Sequence, residues 1–386
     1  MKRLSQLTSG LIGQAMLAIM NKVGVMEAVG RRIYRFEVGD SDFAAYPHVI
    51  DATKEALDHG HTKYVSTTGI TPFRQAICDY TEKSLGFRPD LDQVVVMPSN
   101  SVVDFVFRCV ADRGDEVIFT DPGFPTYHAV ASYLGLKEVR VPIREADGFR
   151  LDPDDLAARI TDKTRLIIIN SPHNPTGSVM TKEQLKQVAA IAREHDIYLL
   201  SDEMYAEIIY DVPHFSPGCE DACRERTIIL NGFSKAHSMS GWRIGYAIGP
   251  TELITAMGLM FETVYSCLPP FVQYAGISAL KTEPGLLDAR RRQYRVLRDL
   301  MIARLNEIPG VTCNVPQGAM YVFPNITGTG LSSAQFADFV LEKAGVAVVP
   351  GSCFGSGGEG YVRLCYARDE AVIEEACAAM KQAFSK

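Results

Sequence analysis

Seven short strand-like runs, each four or five residues long and most of them largely apolar, constrain this chain more than any other feature. They lie at residues 94–97, 116–120, 138–141, 166–170, 198–201, 227–230 and 244–248. Between most of them lie stretches of helical character, at 102–111, 127–134, 154–160 and 181–195, and an earlier one spans 47–60, where Val49, Ile50, Ala52, Ala56 and Leu57 recur at helical spacing. A run that is apolar throughout, without alternation, is expected to bury both faces of its strand. Strands of that kind alternating with helices predict an α/β large domain, a mainly parallel sheet covered by helices. Residues 37–43 read as an irregular segment containing glycine.

After residue 269 the pattern changes. A charge-rich helical segment is predicted over 283–307, with Arg290, Arg291, Arg292, Arg295 and Arg298 on a solvated face. Short strands (321–323, 346–349, 361–366) and two helices (332–344, 370–384) then predict a smaller α+β domain. A chain of 386 residues exceeds one comfortable core. The expected division is an N-terminal arm and part of the small domain over 1–45, a large domain over 46–285 and a small C-terminal domain over 286–386, the two sharing a cleft.

Composition narrows the function. With 47% apolar and 22% charged residues the chain reads as a soluble globular protein. Its net charge of -7 argues against a nucleic-acid surface, and no run approaches the roughly 18 apolar residues a membrane span needs. Lys2 and Arg3 precede an apolar patch at 11–20, as in a signal peptide. That patch contains Gln14, lacks a small-residue cleavage site and continues into Asn21, Lys22 and Glu27, so an amphipathic helix and a cytoplasmic location are expected. Nine scattered cysteines read as reduced core thiols. Cys219 and Cys223 have no second pair or histidine beside them, so no metal is assigned.

In sheets of this type ligands bind outside the carboxyl ends of the parallel strands. Four such ends carry unusual residues. Ser99, Asn100 and Ser101 stand just ahead of a helix, where free amides and the dipole suit a phosphate, although a plain N-cap explains them equally well. Asn170 to Gly177 offers a rigid amide at a strand end, with His173 read as a loop histidine. Asp202 sits at the buried end of a central strand, costly unless it meets a cation or strong donor, and Tyr205 follows three positions later. Lys235 lies behind an apolar strand among small residues, with Arg243 eight positions on; a lysine so placed can act as an amine nucleophile, although most lysines are surface charges. Together these groups supply a phosphate cradle, a carboxylate for a ring cation, donors for a phenolic oxygen and an amine for an aldehyde. Pyridoxal 5'-phosphate (PLP) wants all of them.

The motifs 170–177, 202–205, Ser234-Lys235 with Gly241-Trp242-Arg243, and Gly360-Tyr361-Val362-Arg363 make the chain resemble a fold-type I PLP-dependent aminotransferase of class I/II, the aspartate aminotransferase family, over nearly its full length. The resemblance implies that Lys235 forms the internal aldimine and serves as general base. It implies that Asp202 pairs with the protonated pyridine nitrogen, that Tyr205 and Asn174 bond the phenolate oxygen, and that Phe124 stacks on the ring. Ser99, Asn100, Ser101, Ser234 and Arg243 would hold the phosphate. Tyr64 matches a tyrosine that reaches the neighbouring subunit's phosphate, implying a homodimer with shared sites. Arg363 would grip the substrate α-carboxylate, helped by Gly39 and Asn174. The implied activity is transfer of an amino group from an L-amino acid to a 2-oxo acid such as 2-oxoglutarate, in ping-pong order.

Two departures stand out. Gly232 occupies a position where several members place a phosphate-binding serine, and Gly39-Asp40-Ser41-Asp42-Phe43 replaces the commoner Gly-Glu-Pro-Asp-Phe. A β-elimination lyase or a Claisen-type condensing enzyme of the same fold is the alternative. The pattern G-x-G-x-x-G at 355–360 would suggest a dinucleotide enzyme, but it leads into a predicted strand and not a helix. A PLP-binding transcription regulator would need a further DNA-binding domain for which the chain leaves no room.

Overall fold

All seven runs become strands of one sheet in the computed structural model, which describes residues 4–9, 11–13 and 15–385. Among these residues the strands are β1 (Tyr34–Arg35), β2 (Val94–Met97), β3 (Glu116–Asp121), β4 (Lys137–Pro142), β5 (Thr164–Asn170), β6 (Tyr198–Asp202), β7 (Thr227–Gly232), β8 (Gly245–Ile248), β9 (Tyr321–Val322), β10 (Val346–Ala347), β11 (Val349–Pro350) and β12 (Val362–Cys365). The large sheet has the order β2-β8-β7-β6-β5-β3-β4. Strands β3 to β7 pair in parallel, and β8 runs antiparallel to both β2 and β7. Every strand but β8 therefore points the same way. Each residue of β2, β3 and β8 is buried, as the uninterrupted apolar runs require.

Several strands outlast the apolar runs by a residue or two, because polar residues continue the ladder. Asn170 registers with Asp202, and Asp202 with Leu230, which sets the strand-end polar groups side by side. A smaller antiparallel sheet, β11-β12-β9, and the parallel pair β1-β10 complete the strands. The predicted strand at 346–349 is thus two strands: Val346 and Ala347 pair with β1, while Val349 and Pro350 pair with β12. Tyr294, Leu297 and Met301 of the helix Pro284–Leu305 join Val322, Phe336, Leu364, Ile373 and Met380 in a second core.

Three helices had no counterpart in the sequence reading: Thr71–Leu85, Thr251–Tyr265 and Pro270–Leu280. Two of them carry a proline in the first turn, at Pro72 and Pro270. Proline at that position starts a helix, since the amide it lacks would be unpaired anyway. Gly276 is small for packing: a Cβ there would overlap the Phe73 ring on the helix Thr71–Leu85.

Arg298 corrects the expected solvated arginine face. It is 3% exposed, with its guanidinium over the Tyr210 ring and donating to the Pro316 carbonyl at 3.0 Å. The N-terminal helix, expected to be amphipathic, spans Ala15–Ala28 without a marked apolar face. It buries Val23 and Met26 against Leu341 and Ala347 but leaves Val25 exposed. Lys2, Arg3 and Gln14 lie outside the described residues. No helix among the described residues is long and apolar enough to cross a membrane.

Candidate active site

The carboxyl ends of β5, β6 and β7 open onto a cavity of about 250 Å³. Asp202 forms its floor. It ends β6 and is buried; its Oδ2 accepts from the Tyr127 hydroxyl at 2.6 Å and its Oδ1 from the Met204 amide at 3.2 Å. Burial pushes its carboxyl up to about 6, and the Tyr127 and Met204 donors oppose that rise. Asn170 braces this end of the sheet: its Nδ2 donates to the Asp202 carbonyl at 3.0 Å and its Oδ1 accepts from the Asn174 amide at 2.8 Å.

Tyr205 and Asn174 line the same cavity. The Tyr205 hydroxyl lies 2.9 Å from that of Tyr321 and accepts a long hydrogen bond, 3.5 Å, from Asn174 Nδ2. Burial first, then the neighbouring Tyr321, holds the Tyr205 phenol well above its usual range. Beside them Arg363, in β12, is 2% exposed and donates to Asn174 Oδ1 at 3.2 Å and to the Glu37 carbonyl at 2.7 Å. Its guanidinium lies 4.5 Å from the Tyr321 ring centroid.

Lys235 reaches the cavity from the turn after β7, and its Nζ donates to the Gly39 carbonyl. Gly39 belongs to the irregular segment, which is held by Ser240 Oγ donating to Asp40 at 2.7 Å and by Arg368 Nη1 donating to Asp42 at 2.9 Å. Arg243 and Ser234 also line the cavity. Arg243 has a left-handed backbone, φ 55°, and its Nη1 donates to the Ser240 carbonyl at 2.7 Å.

At the far end the helix Ser99–Val110 points its first turn into the cavity. The sequence placed Ser99, Asn100 and Ser101 ahead of a helix starting near 102; they are its first three residues. Ser99 and Asn100 line the cavity, whereas Ser101 does not, and its amide donates to the Pro98 carbonyl at 2.9 Å. Ser99 Oγ is buried with no protein partner. A Cβ on Gly232 would stand 2.5 Å from that hydroxyl, and one on Gly245 would overlap it. Neither glycine has a positive φ, so both are glycine for space. Phe124 stands at the N-cap position of the next helix, Pro125–Leu134, and lines the same cavity.

Of the residues singled out by sequence, Tyr64 stands apart from this cavity, 88% exposed. His173 is in a loop as expected but buried, hydrogen-bonded to Thr120 and Thr176, and burial pushes its imidazole down to about 3. The glycine-rich loop at 355–360 folds as a turn before β12, with the Gly357 amide donating to Asp121 Oδ1 at 2.9 Å. Two residues the sequence reading missed are Tyr127 and Tyr321. Tyr127 had a signal, since it lies three positions after Phe124 on one helix face. Tyr321 is found only through strand register: it pairs with Cys365, which puts it diagonally beside Arg363.

A family model described as aminotransferase class I and II matches residues 31–380. An aspartate aminotransferase of Pyrococcus horikoshii is 40% identical over 342 residues, covering 88% of this chain and 87% of its own. Aromatic-amino-acid aminotransferase 2 of Thermococcus litoralis is 39% identical over 350 residues, 89% of this chain and 90% of its own. Among solved structures, an aspartate aminotransferase from Thermus thermophilus with maleate matches with a TM-score of 0.95 at 33% identity, over 99% of this chain and 100% of that one.

Proposed function

The chain belongs to the class I and II aminotransferase family, and on that premise we propose that it moves an amino group from an L-amino acid to a 2-oxo acid, 2-oxoglutarate foremost, in two ping-pong half-reactions with pyridoxal 5'-phosphate. The observation that carries this reading is one cavity holding a buried carboxylate at a strand end, Asp202, together with an amine, Lys235, and a buried hydroxyl without a protein partner, Ser99. Each fits a different part of the cofactor. A raised carboxyl suits a cation, and the ring nitrogen supplies one when protonated. An unpartnered hydroxyl at the first turn of a 12-residue helix suits a phosphate.

Bound there, PLP supplies an aldehyde that condenses with amines and a cationic ring that takes up the electrons left when a Cα–H bond breaks. Asp202 holds the proton on the ring nitrogen, and Tyr127, donating to Asp202 at 2.6 Å, fixes the carboxylate's orientation. Tyr205 and Asn174 would donate to the phenolic oxygen, Phe124 would pack on the ring, and Ser99, Asn100, Ser234 and Arg243 would hold the phosphate. Arg363 takes the substrate α-carboxylate in its planar fork, with Asn174 and the Gly39 amide beside it. Lys235, which lines the cavity, would hold the cofactor at its aldehyde and would take and return the substrate's α-proton at Nζ.

Residues 46–285 would carry the cofactor and residues 286–386, with the arm, the carboxylate-binding wall. The exposure of Tyr64, 88% and outside its own cavity, supports a homodimer in which each copy completes the other's site. Five of the nine cysteines are buried, as small apolar residues of the core would be, and the location proposed is the cytoplasm.

The test is a half-reaction screen on the purified holoenzyme: single amino acids are added and the visible absorbance is followed, with glutamate assayed after 2-oxoglutarate is supplied. Lys235→Ala should lose both the imine absorbance and turnover. A Lys235→Ala protein that kept both would overturn the reading, and release of pyruvate and ammonia in place of glutamate would turn it toward β-elimination.

A further inference from the structure

We propose that Tyr321 is a positioning residue that ties the two ends of the reacting centre together, orienting the Tyr205 hydroxyl toward the cofactor and the Arg363 guanidinium toward the substrate carboxylate. The inference rests on the functional reading above and adds to it a residue that touches both groups at once.

Three contacts carry it. Tyr321 is 1% exposed yet lines the cavity. Its hydroxyl lies 2.9 Å from the Tyr205 hydroxyl, and its ring lies under the Arg363 guanidinium, 4.5 Å from ring centroid to Cζ. Its hydroxyl also packs against Gly39, where a Cβ would overlap it, and the Gly39 carbonyl accepts from Lys235. The three partners come from separate elements. Tyr205 follows β6 of the large sheet, Arg363 lies in β12 of the small sheet, and Gly39 lies in the irregular segment after β1. Tyr321 is the side chain where the three meet.

The hydrogen-bond logic has a direction. A phenol has one proton to donate and two lone pairs to accept with. If Tyr205 spends its proton on the cofactor's phenolic oxygen, its own oxygen is left to accept, and the Tyr321 hydroxyl is a donor 2.9 Å away. Donation from Tyr321 strengthens donation by Tyr205 and stabilises negative charge on the cofactor oxygen. The ring acts separately. Stacked on Arg363, it holds the guanidinium plane where a carboxylate can meet it bidentately.

Two variants separate these roles. Tyr321→Phe keeps the ring and removes the hydroxyl, so the midpoint of the pH titration of the holoenzyme's visible absorbance should rise by roughly half to one pH unit, while the KM for 2-oxoglutarate stays within about twofold. Tyr321→Leu removes the ring as well, and the KM for 2-oxoglutarate should rise about five- to tenfold, more than kcat falls. A Phe variant whose absorbance titrates at the wild-type midpoint, or a Leu variant that binds PLP and keeps the wild-type KM, overturns the inference. Either result leaves the functional reading intact. A wild-type chain that takes up no PLP overturns the functional reading itself.

Discussion

Ser99 and Gly232 should behave as a coupled pair, and the coupling is measurable without turnover. Ser99 Oγ is buried with no protein partner, a state that costs about 1–3 kcal/mol. Ser99→Ala removes that cost, so the cofactor-free protein should become more stable by about 1 kcal/mol or more. On the proposed reading the same change would remove a hydrogen bond to the phosphate, and bonds to charged groups contribute about 1.5–3 kcal/mol, so PLP affinity should fall roughly 10- to 100-fold. Gly232→Ala acts from the other side. Its Cβ would meet Ser99 Oγ at 2.5 Å, Met204 Cε at 3.1 Å and Gly245 Cα at 3.3 Å. Met204 Cε is the end of a flexible chain and can move. The Ser99 hydroxyl cannot move toward Gly245, because it already lies close enough to exclude a Cβ there. Overpacking of this kind costs about 1–3 kcal/mol, and most of it should vanish once Ser99 is alanine. Denaturant unfolding of the four cofactor-free proteins (wild type, both single variants and the double) gives the coupling, expected above about 1 kcal/mol. Absorbance titration with PLP gives the affinities. Additive penalties, or a Ser99→Ala protein that binds PLP as the wild type does, would refute the assignment of Ser99 to the phosphate and of Gly232 to the space beside it.

Other expectations concern charge and assembly. The Asp202 carboxyl is held at about 6 in the fold against 3.8 in an unfolded chain, so the folded protein keeps a proton the unfolded one has already lost. Stability of the cofactor-free protein should therefore fall as pH rises from about 4 to 6, by up to about 3 kcal/mol; Asp202→Asn should flatten that slope in denaturant melts at pH 4.5 and 7, and an unchanged slope would place the titration elsewhere. Arg363→Lys should lower kcat/KM by about 100-fold, chiefly through KM, because an ammonium cannot reproduce the fork that reaches Asn174 and the Glu37 carbonyl. Steady-state kinetics at saturating PLP check it. Tyr64→Ala and Lys235→Ala proteins, mixed and re-equilibrated, should regain activity that neither has in full alone, since the hybrid dimer contains one site with both residues intact. No gain on mixing, with hybrids verified by mass, would exclude a shared site.

The large sheet was legible because most of its strands are buried on both faces, the edge strand β4 excepted, and a continuous apolar run such as Val94 to Met97 has few other folds open to it. Helix starts at Pro72 and Pro270 were hidden by the same residue that often ends helices, and only position within the turn separates the two meanings. The candidate site was legible where its residues end a strand, follow one within a few positions or open a helix, as with Asp202, Asn174, Lys235 and Ser99. Tyr127 and Tyr321 escaped because their importance lies in partners 75 and 116 residues distant in the chain. Arg298 was misread for a related reason: helical periodicity among five arginines does not tell which of them faces a tyrosine ring and a buried carbonyl.

Two groups in the cavity are each disfavoured as the protein alone presents them. Asp202 resists ionisation, and the Ser99 hydroxyl lacks a protein partner. Both line one cavity, and a single rigid ligand with a ring cation and a phosphate would relieve the two together. Because each relief comes from binding, the same residues that weaken the cofactor-free fold raise the affinity for the cofactor, as linkage requires. Lys235 differs from these two. Its amine already has a partner in the Gly39 carbonyl, and Gly39 lies against Tyr321, which touches Arg363. On the proposed reading, bonding of that amine to an aldehyde would first break the contact, so release of the lysine and capture of a substrate carboxylate would act on one small cluster, a direct physical route from carboxylate recognition to the amine.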